Sequence, residues 1–338
     1  MKKLLLIVAI ASMAAIGGYA QIPNLSQYAN AMDSFNQSVA STLTLNSDLG
    51  STWSDAYIGG FPHFGIGATL GSTFAINSTA SQIFDLFGSQ MPDTLKSTLG
   101  SLGLPVPATA LSFKIGLPFL PIDIGIKGGY IPPSVSNSLQ SATGIGVSYE
   151  DVGLTVRYAL IKQDLLLPNV SIGLSYDFQS GEITAPTGLG AQSVNFGSGY
   201  SISMTDPNLD MKWTSNTFDL TAQVSKTLLF FVTPYLGAGY TIGTASVSTG
   251  LTTTVTPVGT DLGTLESLAS SQGLSLSDTG LLFTGTVTNP VLRLYGGFSL
   301  NILVIRLDFQ AVYVPAMAIT VVNQSQAFGA SASVRVQL

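Results

Sequence analysis

Between Pro290 and Leu338 apolar and polar positions alternate with a period of two in three successive runs. Leu292, Leu294, Phe298 and Leu300 alternate with Arg293, Tyr295 and Ser299. Ile305, Leu307, Phe309, Ala311 and Tyr313 alternate with Arg306, Asp308 and Gln310. Phe328, Ala330, Ala332, Val334, Val336 and Leu338 alternate with Gly329, Ser331, Ser333, Arg335 and Gln337. Alternation places successive side chains on opposite faces of a strand. Each run therefore has one continuously apolar face and one polar face. The same pattern predicts strands over Phe64–Phe74, Leu111–Leu117, Ile122–Ile126, Thr143–Leu160, Val170–Phe178, Phe218–Ser225 and Leu236–Ile242.

The connections between these strands sort by length. Those near 118–121, 161–169, 227–231 and 301 are short. Those at 77–106, 132–142, 181–214, 245–286 and 315–326 are longer, and the two kinds alternate. Transmembrane barrels combine short periplasmic turns, longer external loops and an even strand number. The expected fold is all-β: a transmembrane antiparallel up-and-down barrel of about ten strands, with 8, 12 or 14 as alternatives.

Helical spacing is rarer. Leu25, Tyr28, Met32, Phe35, Val39 and Leu43 recur every three or four residues, which predicts a helix over Asn24–Leu43. It precedes the first strand and is expected to begin on the periplasmic side, as a cap across the mouth or a plug in the lumen. Ile83, Phe84, Phe87, Leu95 and Leu99 form an apolar stripe in the first long connection. Leu262, Leu265 and Leu268 predict another loop helix over Asp261–Ser271. In the strand at Thr143–Leu160 the phase slips at Glu150-Asp151, which a β-bulge would produce; a tight hairpin, which would add a strand and spoil the parity, is the alternative.

Composition fits a chain in lipid. Of 338 residues, only 9% are charged, where a soluble domain carries about a quarter. Lys2 and Lys3, the apolar run Leu4–Ile16 and the small residues Gly18 and Ala20 read as a signal peptide cut before Gln21. Removing it takes two of 12 cations, so the mature charge is 10 − 18 = −8. Sparse, scattered cations make nucleic acid an unsuitable partner. With no Cys there is no disulfide framework and no lipid attachment at the mature N-terminus. The organisation is residues 1–20 as signal peptide, 21–50 as N-terminal helical segment and 51–338 as barrel.

The leader, the alternating strands and the closing strand Phe328–Leu338 resemble a Gram-negative outer-membrane barrel. The Gly-rich, charge-poor strands and helix-bearing loops are similar to uncharacterised barrels of spirochaetes and Bacteroidetes. More distantly they resemble the long-chain fatty-acid transporter family, which has an N-terminal plug, apolar loop helices and usually more strands. No residue motif supports that likeness, so no binding residues are carried over. The resemblance implies an outer-membrane location in a diderm bacterium. It also implies outer-membrane lipid and lipopolysaccharide or its equivalent as surroundings, and the barrel assembly machinery as a partner. That machinery usually reads a terminal aromatic residue, where this chain has Leu338.

Strand parity puts Lys114, Asp123, Lys127, Arg157, Asp177, Asp219, Arg293, Arg306, Asp308 and Arg335 on the lumen face. Opposite charges in a narrow barrel form a structural ion-pair lattice or line a selective path. Ile83, Phe84, Phe87, Leu95 and Leu99, with Phe35 of the helix, either pack on the rim or shape a pocket for a hydrophobic small molecule. Aromatic residues Phe61, Tyr130, Phe231, Tyr235 and Tyr313 are expected at the two membrane interfaces. The single histidine, His63, has no Ser or carboxylate tied to it by a motif, so no enzyme is expected. No cofactor or metal is expected, although Asp and Glu spread through the loops leave calcium open. The expected function is a channel for passive uptake of a small hydrophobic solute. The alternative is a structural or adhesive barrel whose external loops bind a partner.

Overall fold

Ten antiparallel strands close on themselves. In chain order they are β1 (Phe64–Ala75), β2 (Pro105–Gly116), β3 (Ile122–Tyr130), β4 (Gly146–Ile161), β5 (Asn169–Pro186), β8 (Asn208–Ser225), β9 (Val232–Thr252), β13 (Val291–Ile302), β14 (Ile305–Val314) and β17 (Ala327–Gln337). Each pairs with its sequence neighbour in this series, and β17 pairs with β1 from Gly65↔Gln337 to Ala75↔Ala327. The structure is a computed structural model and describes residues 25–75, 105–186, 190–197, 199–271, 274–288, 290–318, 323–324 and 326–338. The leader and the loop positions Ile83, Phe84, Phe87, Leu95 and Leu99 lie outside these residues.

The remaining strands belong to the long connections: β6 (Gln192–Gly197), β7 (Tyr200–Met204), β10 (Val255–Val258), β11 (Ser275–Ser277), β12 (Gly280–Val287), β15 (Met317–Ala318) and β16 (Asn323–Gln324). β6, β7 and β10 form a separate small sheet, and β11–β12 extends the barrel wall along the upper part of β9. All of them stand at the end opposite the short turns. A helix, α3 (Leu262–Ser271), buries Leu265 and Ala269 there.

The expected bulge at Glu150-Asp151 is absent. β4 pairs with β5 in unbroken register through both residues, and the register shifts only between Ala159 and Ile161. The apolar face changes side because the surroundings change. In the lower part of β4, Val152, Leu154, Val156, Tyr158 and Leu160 face outward and are exposed, as lipid contact requires. In the upper part, Ile145, Val147 and Tyr149 face inward and are buried. β2 does the same, with Leu111 and Phe113 outward below and Val106, Ala108 and Ala110 inward above. β8 follows, with Phe218 and Leu220 outward below and Met211 and Trp213 inward above. Above the lipid-facing belt the outer surface turns polar, with Ser148, Glu150, Lys212, Thr214 and Asn216 exposed.

The inward apolar residues of the upper barrel meet a helix, α1 (Leu25–Ser47), whose Met32, Phe35, Val39, Ala40 and Leu43 are buried. They form one core with Trp213, Val247, Leu251, Phe283, Leu265 and Ala269 from the wall and the loops. Gly285 of β12 allows the close approach, because a Cβ there would stand 2.8 Å from Asn36 Cβ and 3.0 Å from the Gln37 backbone N.

One further helix was not apparent from the pattern: α2 (Pro133–Thr143), made largely of Ser, Asn and Gln. Proline opens it, and Gly144 ends it in the left-handed region, φ 79°, with its N–H donating to the Gln140 carbonyl. Among the expected interfacial aromatics, Phe61, Tyr130, Phe231 and Tyr313 are exposed. Tyr235 is a correction: it faces inward, buried, and its hydroxyl donates to the Phe309 carbonyl at 3.2 Å. Its odd position in β9 puts it on the lumen face with Thr233 and Gly237.

Candidate functional site

The lumen is the candidate site, and the chain itself occupies it. Below α1, residues 45–58 descend through the barrel in contact with charges from most of its strands. Asn46 Nδ2 donates to Thr73 Oγ1 at 3.1 Å and to the Val106 carbonyl at 2.7 Å, at the upper ends of β1 and β2. Lower down, Ser51 Oγ donates to Asp177 Oδ1 at 2.6 Å, and Ser54 Oγ to Asp308 Oδ1 at 2.6 Å. At the short-turn end, the Ala56 amide donates to Ser225 Oγ at 2.8 Å.

All ten charged residues assigned to the lumen face inward, and nine of them form ion pairs, while Lys114 is held by a backbone carbonyl and the Trp53 ring. Asp123 is held by the Arg157 guanidinium, and Asp219 by Arg293 at 2.6 Å. Asp177 is 3.1 Å from Lys127, and Asp308 is 2.8 Å from Arg335 Nε. These wall pairs are completed from inside. Asp48 takes Arg293 Nη1 at 2.6 Å. Asp55 takes Arg306 at 2.7 Å and Arg335 at 3.1 Å, while its carbonyl accepts from Arg157 Nη1 at 2.8 Å. Lys114 Nζ donates to the Ser51 carbonyl at 2.8 Å, and Lys127 Nζ to the carbonyls of Ser47 and Leu49. A buried charge without a partner is costly, so each of these contacts fixes residues 45–58 in place.

Trp53 sits between two cations, Lys114 and Arg335, each 4.9 Å from a ring centroid, and its Nε1 donates to Ser112 Oγ at 3.1 Å. The lumen-facing Gly65 makes room for it: a Cβ there would lie 2.7 Å from Trp53 Cη2. Beside Asp48, Thr52, Arg293 and Gln310 the space left between inner segment and wall is about 10 Å³, room for one water.

Strand parity found the wall residues but not Asp48, Trp53, Asp55 or Asp151. The ten assigned residues contain six cations and four carboxylates, and that imbalance was the available signal that anions come from elsewhere. Asp151, 3.1 Å from Lys127, was missed because the supposed bulge reversed its face. Phe35, a candidate ligand contact, lies within the packed core of the upper barrel. His63 sits at the short-turn rim, 2.8 Å from Gln337 Nε2 and edge-on to Tyr57, and partial burial pushes its pKa below the usual histidine value. Among the described residues no group of three metal-ligating side chains occurs, and no helix is long and apolar enough to cross a membrane.

Outside the wall, above the belt, α2 and the strands β4, β5 and β8 enclose a cleft of about 590 Å³. Tyr130, Ser136, Glu150, Glu182 and Lys212 line it. Lys212 bridges Glu182 at 3.3 Å and Asp210 at 3.4 Å.

No protein-family profile matches the chain, and no curated protein matches its sequence. Among solved structures it is similar to the translocator domain of the autotransporter NalP from Neisseria meningitidis, at 10% identity and a TM-score of 0.34. That match covers 93% of this chain and all of the other. It is also similar to the transport unit of the autotransporter AIDA-I from Escherichia coli, at 10% identity and a TM-score of 0.35, covering 90% of this chain and 98% of that one. A third likeness is to the toluene transporter TbuX of Ralstonia pickettii, at 11% identity and a TM-score of 0.26, covering 89% and 94%. All three concern fold alone. The closed barrel is read from the strand pairing itself.

Proposed function

We propose that this chain is a closed outer-membrane barrel of structural or adhesive function, with its long-loop face as the working surface. The observation that carries this reading is the occupied lumen. Residues 45–58 satisfy the wall charges from within, and the apolar core around α1 fills the upper half. Passive uptake of a hydrophobic solute needs a continuous path, and in this conformation the inner segment stands across it. The long-loop end, by contrast, offers a folded surface built from α2, α3, β6, β7 and β10, with a cleft of mixed polarity. In this reading lipid surrounds the outward apolar belt, with lipopolysaccharide or its equivalent beside the upper wall. The barrel assembly machinery engages the closing strand β17, and the partner is bound by the loops.

Conductance of the refolded mature chain in planar bilayers tests the proposal. The expected result is a silent membrane under conditions where an open porin conducts. Steady channel activity, or saturable binding of a fluorescent fatty acid with flux into liposomes, overturns it in favour of the uptake channel.

A further inference from the structure

The direction of the inner segment has a topological consequence. Its contacts climb the barrel in strict order as the residue number falls. Ala56 meets Ser225, the last residue of β8 before a short turn. Asp55 meets Arg306, one residue past another short turn. Ser51 meets Asp177 at mid-height, and Asn46 meets Thr73 and Val106 at the long-loop ends of β1 and β2. Asn36 Nδ2 donates to the Phe283 carbonyl at 2.6 Å, in β12, which extends the wall beyond β13. Met32 packs among the loop residues Leu265 and Ala269. From Asn36 the helix runs on for eleven residues to Leu25, about 16 Å at 1.5 Å per residue. α1 thus points its N-terminal end toward the long-loop face. This reverses the periplasmic start expected for the helix.

The strand that follows starts on the opposite side. β1 begins at Phe64, whose N–H donates to the Leu338 carbonyl at the short-turn rim. The chain therefore crosses the full height of the barrel between Asn36 and Phe64 before it enters the wall. The wall offers no side exit, since all ten strands are paired in a ring and the β1–β17 seam is paired over its whole length. We infer that the barrel displays its own N-terminal helix: the N-terminal end of α1 has been carried through the lumen to the long-loop face, and residues 45–58 are the tether that holds it there. The activity added is presentation of a polypeptide end on the cell surface. The inference rests on the reading above in one respect, that the long-loop face is the outer one.

Site-directed thiol labelling tests it on the full-length chain in intact diderm cells, using a membrane-impermeant maleimide. The native sequence has no Cys, so background is absent. Ser34→Cys reports the exposed side of α1, Ser267→Cys the exposed side of α3 and Lys162→Cys a short turn. The expected result is full labelling of Ser34→Cys and Ser267→Cys in intact cells, with Lys162→Cys reacting only after the outer membrane is opened. If Ser267→Cys reacts and Ser34→Cys waits for permeabilisation, the threading is wrong while the orientation stands. If Lys162→Cys alone reacts in intact cells, the orientation is wrong and external display falls with it. Should Ser34→Cys stay unreactive until unfolding, an epitope placed immediately ahead of Leu25 decides. Antibody binding to intact cells supports display, and binding only after permeabilisation overturns it.

Discussion

Arg293 of the wall and Asp48 of the inner segment meet at 2.6 Å across 245 residues of sequence, and Arg293 holds Asp219 at the same distance. One guanidinium thus joins the tether to the barrel while serving a pair within the wall. The two ends of this contact are unequal. Asp48→Asn leaves Arg293 paired with Asp219, and a loss of about 1–3 kcal/mol is expected for the one weakened contact. Arg293→Met leaves two buried carboxylates unpaired, with an expected loss of about 3–5 kcal/mol. Urea unfolding in detergent micelles, read by the heat-sensitive shift on gels, should rank them in that order. No measurable loss from Asp48→Asn would mean that Asp48 contributes nothing to the tether.

Deleting the helix alone should not open the barrel. The contacts that block the lower lumen come from residues 46–56, which remain when residues 21–45 are removed. That deletion is expected to stay silent in bilayers. Removal through Ala56 is expected to conduct and to favour anions, because Arg157, Arg306 and Arg335 lose the Asp55 groups that faced them. Conductance from the shorter deletion would assign the block to α1.

Gly285→Ala probes the upper seal. The added methyl group meets Asn36 Cβ and the Gln37 backbone N, neither of which can turn aside. An expected loss of about 1–3 kcal/mol follows from overpacking. Hydrogen exchange should show faster exchange in α1 with the strands of the lower barrel unchanged.

The loop helix α3 carries a pH dependence of its own. The Thr264 hydroxyl and then the Thr264 N–H, at 2.7 and 2.9 Å, hold the Asp261 carboxyl below its ordinary value. A depressed carboxylate stabilises the fold above its unfolded pKa of about 3.9, and that contribution fades as pH falls through the lower folded value. Protection of the Leu262–Ser271 amides, taken relative to their intrinsic exchange rates at each pH, is therefore expected to fall in acid, and Asp261→Ala should remove the dependence. An unchanged acid response in that variant would point to another group.

The short turns carry large apolar side chains at their tips. Phe230 is 95% exposed and Leu303 97%, both at positive φ, and Phe119, Leu166 and Leu229 are exposed beside them. Charged variants at two tips, Phe119→Asp with Phe230→Asp, are expected to slow insertion into preformed vesicles while leaving stability in detergent unchanged. Vesicle flotation over time checks this. An insertion rate equal to that of the parent would place the tips in water.

The belt strands were legible because lipid imposes a single rule on them: every second residue apolar, with the alternate positions facing in. Leu154 and Val156, or Leu174 and Tyr176, need no partner to be identified. The tether was not legible, because Asp48 and Asp55 take their meaning from Arg293, Arg306 and Arg335, which lie far along the chain. α2 was hidden by its own composition, since its Ser, Asn and Gln residues present no apolar stripe. The upper strands misled in a different way. Tyr149 and Leu154 are both apolar and face opposite ways, and only the change of environment between them explains it.

That reversal locates a boundary no linker marks. The level between Tyr149 and Val152 in β4, between Ala110 and Leu111 in β2 and between Trp213 and Phe218 in β8 is a waterline drawn across the strands. Below it the protein is solvated by lipid and is inside-out; above it the same strands form an ordinary water-soluble β-domain around α1. The molecule is therefore divided crosswise, with each long strand belonging to both halves. A cut between domains by sequence position would pass through neither.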